Sequence, residues 1–282
     1  MKRKEKIRQT DFENAERPKT RLKQFGDIFR HRFLELMKIS LLQLVFNMPL
    51  VVSIVLFHML VKSASASSDR LNALMTVFLI QGGSFLISIP CSFIGMTGTF
   101  YCMKKLIYAE GEFASSSFFV GMHEEWKKGL IIGLLPGFSA ALSLIGFFFL
   151  FFYYAQVDPV ITGLGIAALG IQLIIVLIIS YYSIAQIVVY SNQLRFILKN
   201  SFIMLLIRFH FNLLFFLIYP GIFIALICIM DITAYVGVAI LGFFAAFGHL
   251  MWMLNSVSAF DKFINKEQYP DYYRKGLANI NN

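Results

Sequence analysis

Between Lys128 and Arg195 the chain reads GLIIGLLPGFSAALSLIGFFFLFFYYAQVDPVITGLGIAALGIQLIIVLIISYYSIAQIVVYSNQL, 66 residues (129–194) in which Asp158 is the one charged side chain. About 20 apolar residues cross a bilayer core as a helix, so the halves 129–157 and 159–194 each cross once, with a turn at Asp158. The same pattern recurs outward at 39–61, 71–103, 209–230 and 232–260, and the six charge-free runs hold 172 of the 282 residues. With 58% hydrophobic and 15% charged residues, where a soluble domain carries about 25% charged, a soluble globule is excluded. The expected fold is all-α: a polytopic helical membrane protein with six transmembrane helices at about 39–61, 71–90, 129–157, 160–192, 209–230 and 232–258. Residues 1–21 read as a basic flexible N-terminal tail, 22–260 as the membrane domain and 261–282 as a C-terminal tail.

Of the 25 Lys and Arg residues, 23 fall in alternate segments (1–38, 104–128, 195–208, 262–275) and 2 in the segment 62–70. That asymmetry orients the chain by the positive-inside rule, with both termini cytoplasmic. The net charge of +9, including the Lys2, Arg3, Lys4, Lys6, Arg8 cluster, is thereby explained as an orientation signal near anionic lipid, with no nucleic-acid partner. The first apolar run is 23 residues long and closes without a small-residue cleavage pattern, so it reads as an anchor and not as a cleavable signal.

Leu22, Phe25, Phe29, Phe33 and Leu36 recur at spacings of three and four, the pattern of an interfacial amphipathic helix over 22–38. Pro49 predicts a kink facing protein in the first span. The run 71–103 would measure about 50 Å as a straight helix against a hydrocarbon core of about 30 Å, so a break is expected among Gly82, Gly83, Pro90, Gly95 and Gly98. It would be either a bend of 91–108 into the inner interface or a re-entrant segment. Residues 109–128 read as the largest internal loop, with a second interface-lying helix around Phe118, Phe119 and Trp126. Asp158–Pro159 and Asp231 with Thr233 are cap pairs for the fourth and sixth spans.

Chemistry-bearing residues are sparse. No Asp, Glu, Lys or Arg interrupts a span, which argues against an ion-coupled pump. Arg208 borders a full crossing and is expected to snorkel to the headgroups, with His58 and His210 also interfacial. Cys91, Cys102 and Cys228 lack metal-ligand or disulfide spacing, and P-loop, GxGxxG and HExxH motifs are missing. No catalytic, cofactor-binding or metal-ligating residue is therefore assigned. Ser139 and His249 lie about 16 Å and about 18 Å of helix from their nearest basal charges, Lys128 and Asp261, and so sit at matched depth. With GFSA at 137–140 they resemble the dyad of rhomboid intramembrane proteases, but Ala140 stands where that motif ends in Gly. Gly129, Gly133 and Gly137 form a small-residue stripe suited to close helix packing within the chain.

The order QFGDIFRHRFLELMK (24–38), FNMPL (46–50), IPCSFIGMTGTFYCMKKLIY (89–108), SFFVGMHEEWKKGL (117–130) and NQLRFILKNSFIML (192–205) resembles the YesL-like family of bacterial integral membrane proteins of unknown function. The long basic N-terminal tail and YPDYYRKGL (269–277) depart from it. The resemblance implies a multi-pass protein of a bacterial plasma membrane, with a connection to ATP-driven carbohydrate importers and no catalytic residues to carry over. The expected function is that of a non-enzymatic accessory or regulatory partner of a membrane complex such as a carbohydrate ABC importer. Its partners would be the lipid bilayer and ABC transporter subunits, met through Phe118, Phe119 and Trp126. No cofactor is expected. The alternative is a facilitator of a small neutral solute with its site at 82–98, and the third reading is an intramembrane serine protease. The loop 104–128 lacks the EAA and following Gly of an importer permease.

Single cysteines at 63–69, around 158 and around 231 should react with a membrane-impermeant thiol reagent applied from outside, and those at 109–128 should not. Labelling of the latter would overturn the orientation read from the basic residues.

Overall fold

The computed structural model describes residues 17–110, 114–155, 157–190, 192–222, 224–225 and 242–278. Among these the protein is all-helical, without strands. The helices are α1 (Arg21–His31), α2 (Phe33–Ser65), α3 (Arg70–Tyr108), α4 (Ala114–Phe149), α5 (Pro159–Val189), α6 (Leu194–Ile207), α7 (Phe209–Phe216) and α8 (Ala245–Phe260). Four of them are long and apolar enough to cross a membrane, α2, α3, α4 with its π-helical extension to Tyr154, and α5; the bent pair of α6 and α7 with its extension to Gly221 would make five. The basic tail up to residue 16, Cys228, the Asp231–Thr233 cap and residues 226–241 of the last two expected spans lie outside the described residues.

Both described chain ends lie at one end of the bundle, where the amide of Ala278 donates to the carbonyl of Pro18 at 3.2 Å. This basal end divides the molecule into two layers. Far from it, α2, α3, α4 and the first half of α5 present Val45, Ile80, Phe138 and Leu164 outward, and α2, α3 and α4 share a small cluster around Phe78 and Phe148. Toward it, the last turns of α3, the second half of α5 and all of α8 pack into one buried core.

Two boundaries differ from the sequence expectation. Of the segment 109–128, residues 114–128 are not a loop but the first half of α4, continuous with the expected third span. Likewise α3 runs unbroken for 39 residues through Pro90, without the expected break or re-entrant turn. Its excess length is absorbed because Met96, Phe100, Cys102 and Met103 are covered by neighbouring helices and not by lipid. A buried core helix and a lipid-facing helix are equally apolar, so hydropathy cannot separate them. The break occurs instead at Arg208, where α6 and α7 meet at 95°.

Three further expectations change. The amphipathic segment 22–38 is divided at Arg32, and Phe29 and Phe33 pack on Phe247 of α8 while Leu22 is exposed. Pro49 stands exposed on α2 and does not face protein. Arg208 does not snorkel freely; its Nη1 donates to the Asn255 carbonyl at 2.9 Å and its guanidinium lies over the Phe211 ring. The Asp158 cap forms as expected, its Oδ1 accepting from the amides of Val160 and Ile161 at 3.0 Å with Pro159 in the first turn.

α3 and α4 run antiparallel in close contact along the glycine stripe. A Cβ at Gly129 would fall 2.5 Å from Thr97 Cγ2, one at Gly133 2.8 Å from Pro90 Cα, and one at Gly137 3.0 Å from the Phe85 carbonyl oxygen. Beyond the stripe, Gly98 of α3 receives Phe118 of α4, and Gly95 receives Phe46 of α2. Polar side chains fasten α2 to α3: Thr99 Oγ1 donates to Gln43 Oε1 at 2.9 Å, and Ser92 Oγ to Asn47 Oδ1 at 2.5 Å. Gly133→Val should therefore destabilise the protein by about 1–3 kcal/mol through overpacking. Gly163→Ala, where nothing lies within 4 Å, should be near neutral. Apparent Tm in detergent distinguishes the two.

Candidate functional site

The sequence-chosen residues separate into different roles. Phe118 is 0% exposed, wedged between Gly98 and the Phe46 ring, whereas Phe119 and Trp126 are 50% and 41% exposed. Phe118 is thus a core residue, and the expectation that it meets partners is overturned: its spacing places it on the face of α4 that packs on α3. Gly129, Gly133 and Gly137 all face α3. Ser139 and His249 do not meet. Ser139 Oγ accepts from Gln172 Nε2 at 3.3 Å, while His249 packs on Phe100, Tyr181 and Tyr219. Gln172 and Tyr181 are separated by nine residues of α5, about 13 Å. Because α4 pairs with α3 through Gly129 and Thr97, Phe100 lies basal of Lys128, and His249 beside it sits near the level of Lys128, whereas Ser139 lies about three turns further along α4.

The residues that sequence reading missed line a buried polar seam where α5, α6, α7 and α8 converge. Tyr182 Oη donates to Asn212 Oδ1 at 2.7 Å, and Asn255 Nδ2 lies 3.2 Å from Tyr182 Oη. Asn212 Nδ2 in turn caps the broken end of α6, donating to the carbonyls of Met204 and Leu205. One turn along α5, Gln186 Nε2 donates to Ser201 Oγ at 2.8 Å, and Ser183 Oγ lies 3.0 Å from the same hydroxyl. The aromatic wall is Tyr181 stacked on Trp252 at 4.8 Å and Tyr182 edge-on to it at 6.3 Å.

This network is incomplete. Among the described residues seven buried side-chain groups lack a hydrogen-bond partner, and five of them, His249 Nδ1, Trp252 Nε1, Asn255 Oδ1, Ser256 Oγ and Gln186 Oε1, belong to this seam. An orphaned buried group costs about 1–3 kcal/mol, so five together approach the whole stability of a typical domain. The signal was present in the sequence as His249, Trp252, Asn255 and Ser256 spaced along one helix, but only their burial gives it meaning.

Basal of the seam the chain ends are clasped together. Arg21 Nη2 pairs with Asp261 Oδ2 at 2.7 Å, and Asp261 Oδ1 accepts from Asn265 Nδ2 and from the Arg274 amide. Lys275 pairs with Glu110 at 2.5 Å and lies between the rings of Tyr108 and Tyr272. Gly276 has φ +81° and backs directly onto the Ile107 carbonyl, a place that no Cβ fits. Gln24 Nε2 joins α1 to that same carbonyl at 2.7 Å.

The described residues define an all-helical protein with helices apolar enough to span a membrane and with a buried polar seam near the basal end. Comparison with protein-family models, with curated proteins and with solved structures gives no match.

Asp261→Ala should leave the Arg21 guanidinium buried without its counter-charge, at a cost of about 3–5 kcal/mol. Faster proteolysis between residues 17 and 32 and a lower apparent Tm would register it. Arg21→Met with Asp261→Leu should recover much of the loss, since it removes both charges.

Proposed function

We propose that this is a six-span, non-enzymatic protein of a bacterial plasma membrane, with both termini cytoplasmic. It acts as an accessory or regulatory partner of a membrane complex such as a carbohydrate ABC importer, in keeping with the YesL-like resemblance of the sequence. Support for an even number of crossings comes from the Ala278–Pro18 hydrogen bond, since chain ends that meet share one side. Support for that side being cytoplasmic comes from the 23 basic residues assigned to it.

The observation that carries the partner reading is the basal half of α4. From Ala114 to Lys128 it extends about 22 Å beyond the charge-free run, as regular helix held along α3 by Phe118 and Gly121. Phe119, His123 and Trp126 share its outward face, with Glu124, Glu125, Lys127 and Lys128 around them. Aromatic anchors in a polar rim on a rigid element are the composition of a protein contact.

The experiment replaces Phe119 and Trp126 with Ser, leaving the buried Phe118 intact, and quantifies importer subunits co-purified from native membranes. Normal insertion with at least a roughly tenfold loss of those subunits is expected, as the loss of two hot-spot aromatics requires. Loss of insertion would mark the pair as lipid anchors, and undiminished co-purification would place the contact elsewhere; either result overturns the reading.

A further inference from the structure

The α5–α8 seam contains more hydrogen-bonding capacity than the chain itself uses. The unpartnered atoms occupy positions 249, 252, 255 and 256 of α8, about 10 Å of helix, with Gln186 of α5. Gln186 and Ser256 fall between two rungs of ring contacts that tie these helices, Tyr182 with Trp252 and Tyr190 with Phe260. All five side chains belong to residues at most 4% exposed. A merely structural network would pair its members with one another, as the Gln43, Asn47, Ser92 and Thr99 set between α2 and α3 does.

The chemistry of the unpaired set is specific. The Trp252 N–H and the Ser256 hydroxyl offer protons, and the Gln186 and Asn255 amide oxygens accept them. His249 Nδ1 serves either way, according to its tautomer. Gln186, Trp252, Asn255 and Ser256 are all uncharged groups. The nearby guanidinium of Arg208 is engaged with the Asn255 carbonyl and the Phe211 ring. An ionic ligand would lack a counter-charge, and a ligand that only accepts or only donates would leave half the set unpaired. A hydroxyl does both, so adjacent hydroxyls on a small uncharged carbon skeleton match donors and acceptors together.

We propose that this seam is a binding site for a small neutral polyhydroxylated molecule, of the size of a three- or four-carbon polyol, held by Gln186, Trp252, Asn255 and Ser256. The bend at Arg208 borders the site, because Asn212, which caps the broken end of α6, also accepts from Tyr182 in the seam wall. The site is independent of the partner surface on α4.

The chain has two tryptophans, so Trp126→Phe leaves Trp252 as the sole indole reporter inside the seam. The full-length variant in nanodiscs is titrated with glycerol, with erythritol and with betaine at matched osmolality, following Trp252 emission and apparent Tm. A saturable emission change with a rise in Tm is expected for a polyol and not for betaine. It should weaken at least about tenfold in Ser256→Ala and disappear in Ser256→Ala with Gln186→Leu, the variants remaining helical and monodisperse. Ser256→Ala alone keeps the test open if the double variant does not fold. A linear, unsaturable response shared by betaine would mean that ordered water alone serves these groups, and a saturable response unchanged in Ser256→Ala would put the ligand elsewhere; each overturns the proposal.

Discussion

The contact on which the rest of the structure depends is the close approach of α3 and α4. It exists because three glycines one turn apart on α4 meet Phe85, Pro90, Phe93 and Thr97 of α3 with no Cβ between them. In lipid, where apolar faces gain little by meeting each other, such packing is the main source of helix association. Displaced by even one methyl group, α4 would withdraw Phe118 from Gly98 and from the Phe46 ring. The α2 contact would loosen in turn, since Gly95 and Thr99, which receive Phe46 and Gln43, lie on the same turns of α3.

That pairing also sets the levels of everything else. Once α3 and α4 are in register, the basic residues of α4 stand opposite the region where α3 ceases to face outward and is enclosed by α2, α5 and α8. The basal layer is therefore built like a water-soluble core, with large buried aromatics and a polar interior. The far layer keeps its polar groups few and its surface apolar. One uninterrupted helix serves in both layers, which is why α3 and α4 exceed the thickness of a membrane without a break.

The basal layer explains where the ionisable groups went. Arg21 pairs with Asp261 across the two ends of the chain, Lys275 pairs with Glu110 just past α3, and Arg208 is engaged by a backbone carbonyl at the helix break. The Tyr108 and Tyr190 rings, each in contact with Tyr272 of the C-terminal segment, are buried. The seam next to them holds five of the seven buried polar groups that lack a partner among the described residues.

Sequence by itself determined the class. Long charge-free runs cannot be accommodated in a soluble globule, and the glycine stripe and the Asp158–Pro159 cap act over one or two turns, so their roles can be read from spacing. It could not separate lipid-facing from protein-facing apolar residues, because burial in either medium selects the same side chains. That ambiguity hid the true length of α4, the core role of Phe118 and the basal level of His249. Tertiary structure alone decided the break at Arg208, the Arg21–Asp261 clasp and the α5–α8 seam. Each joins residues far apart in the chain, and whether a polar side chain is paired or orphaned depends on which neighbours the packing brings to it.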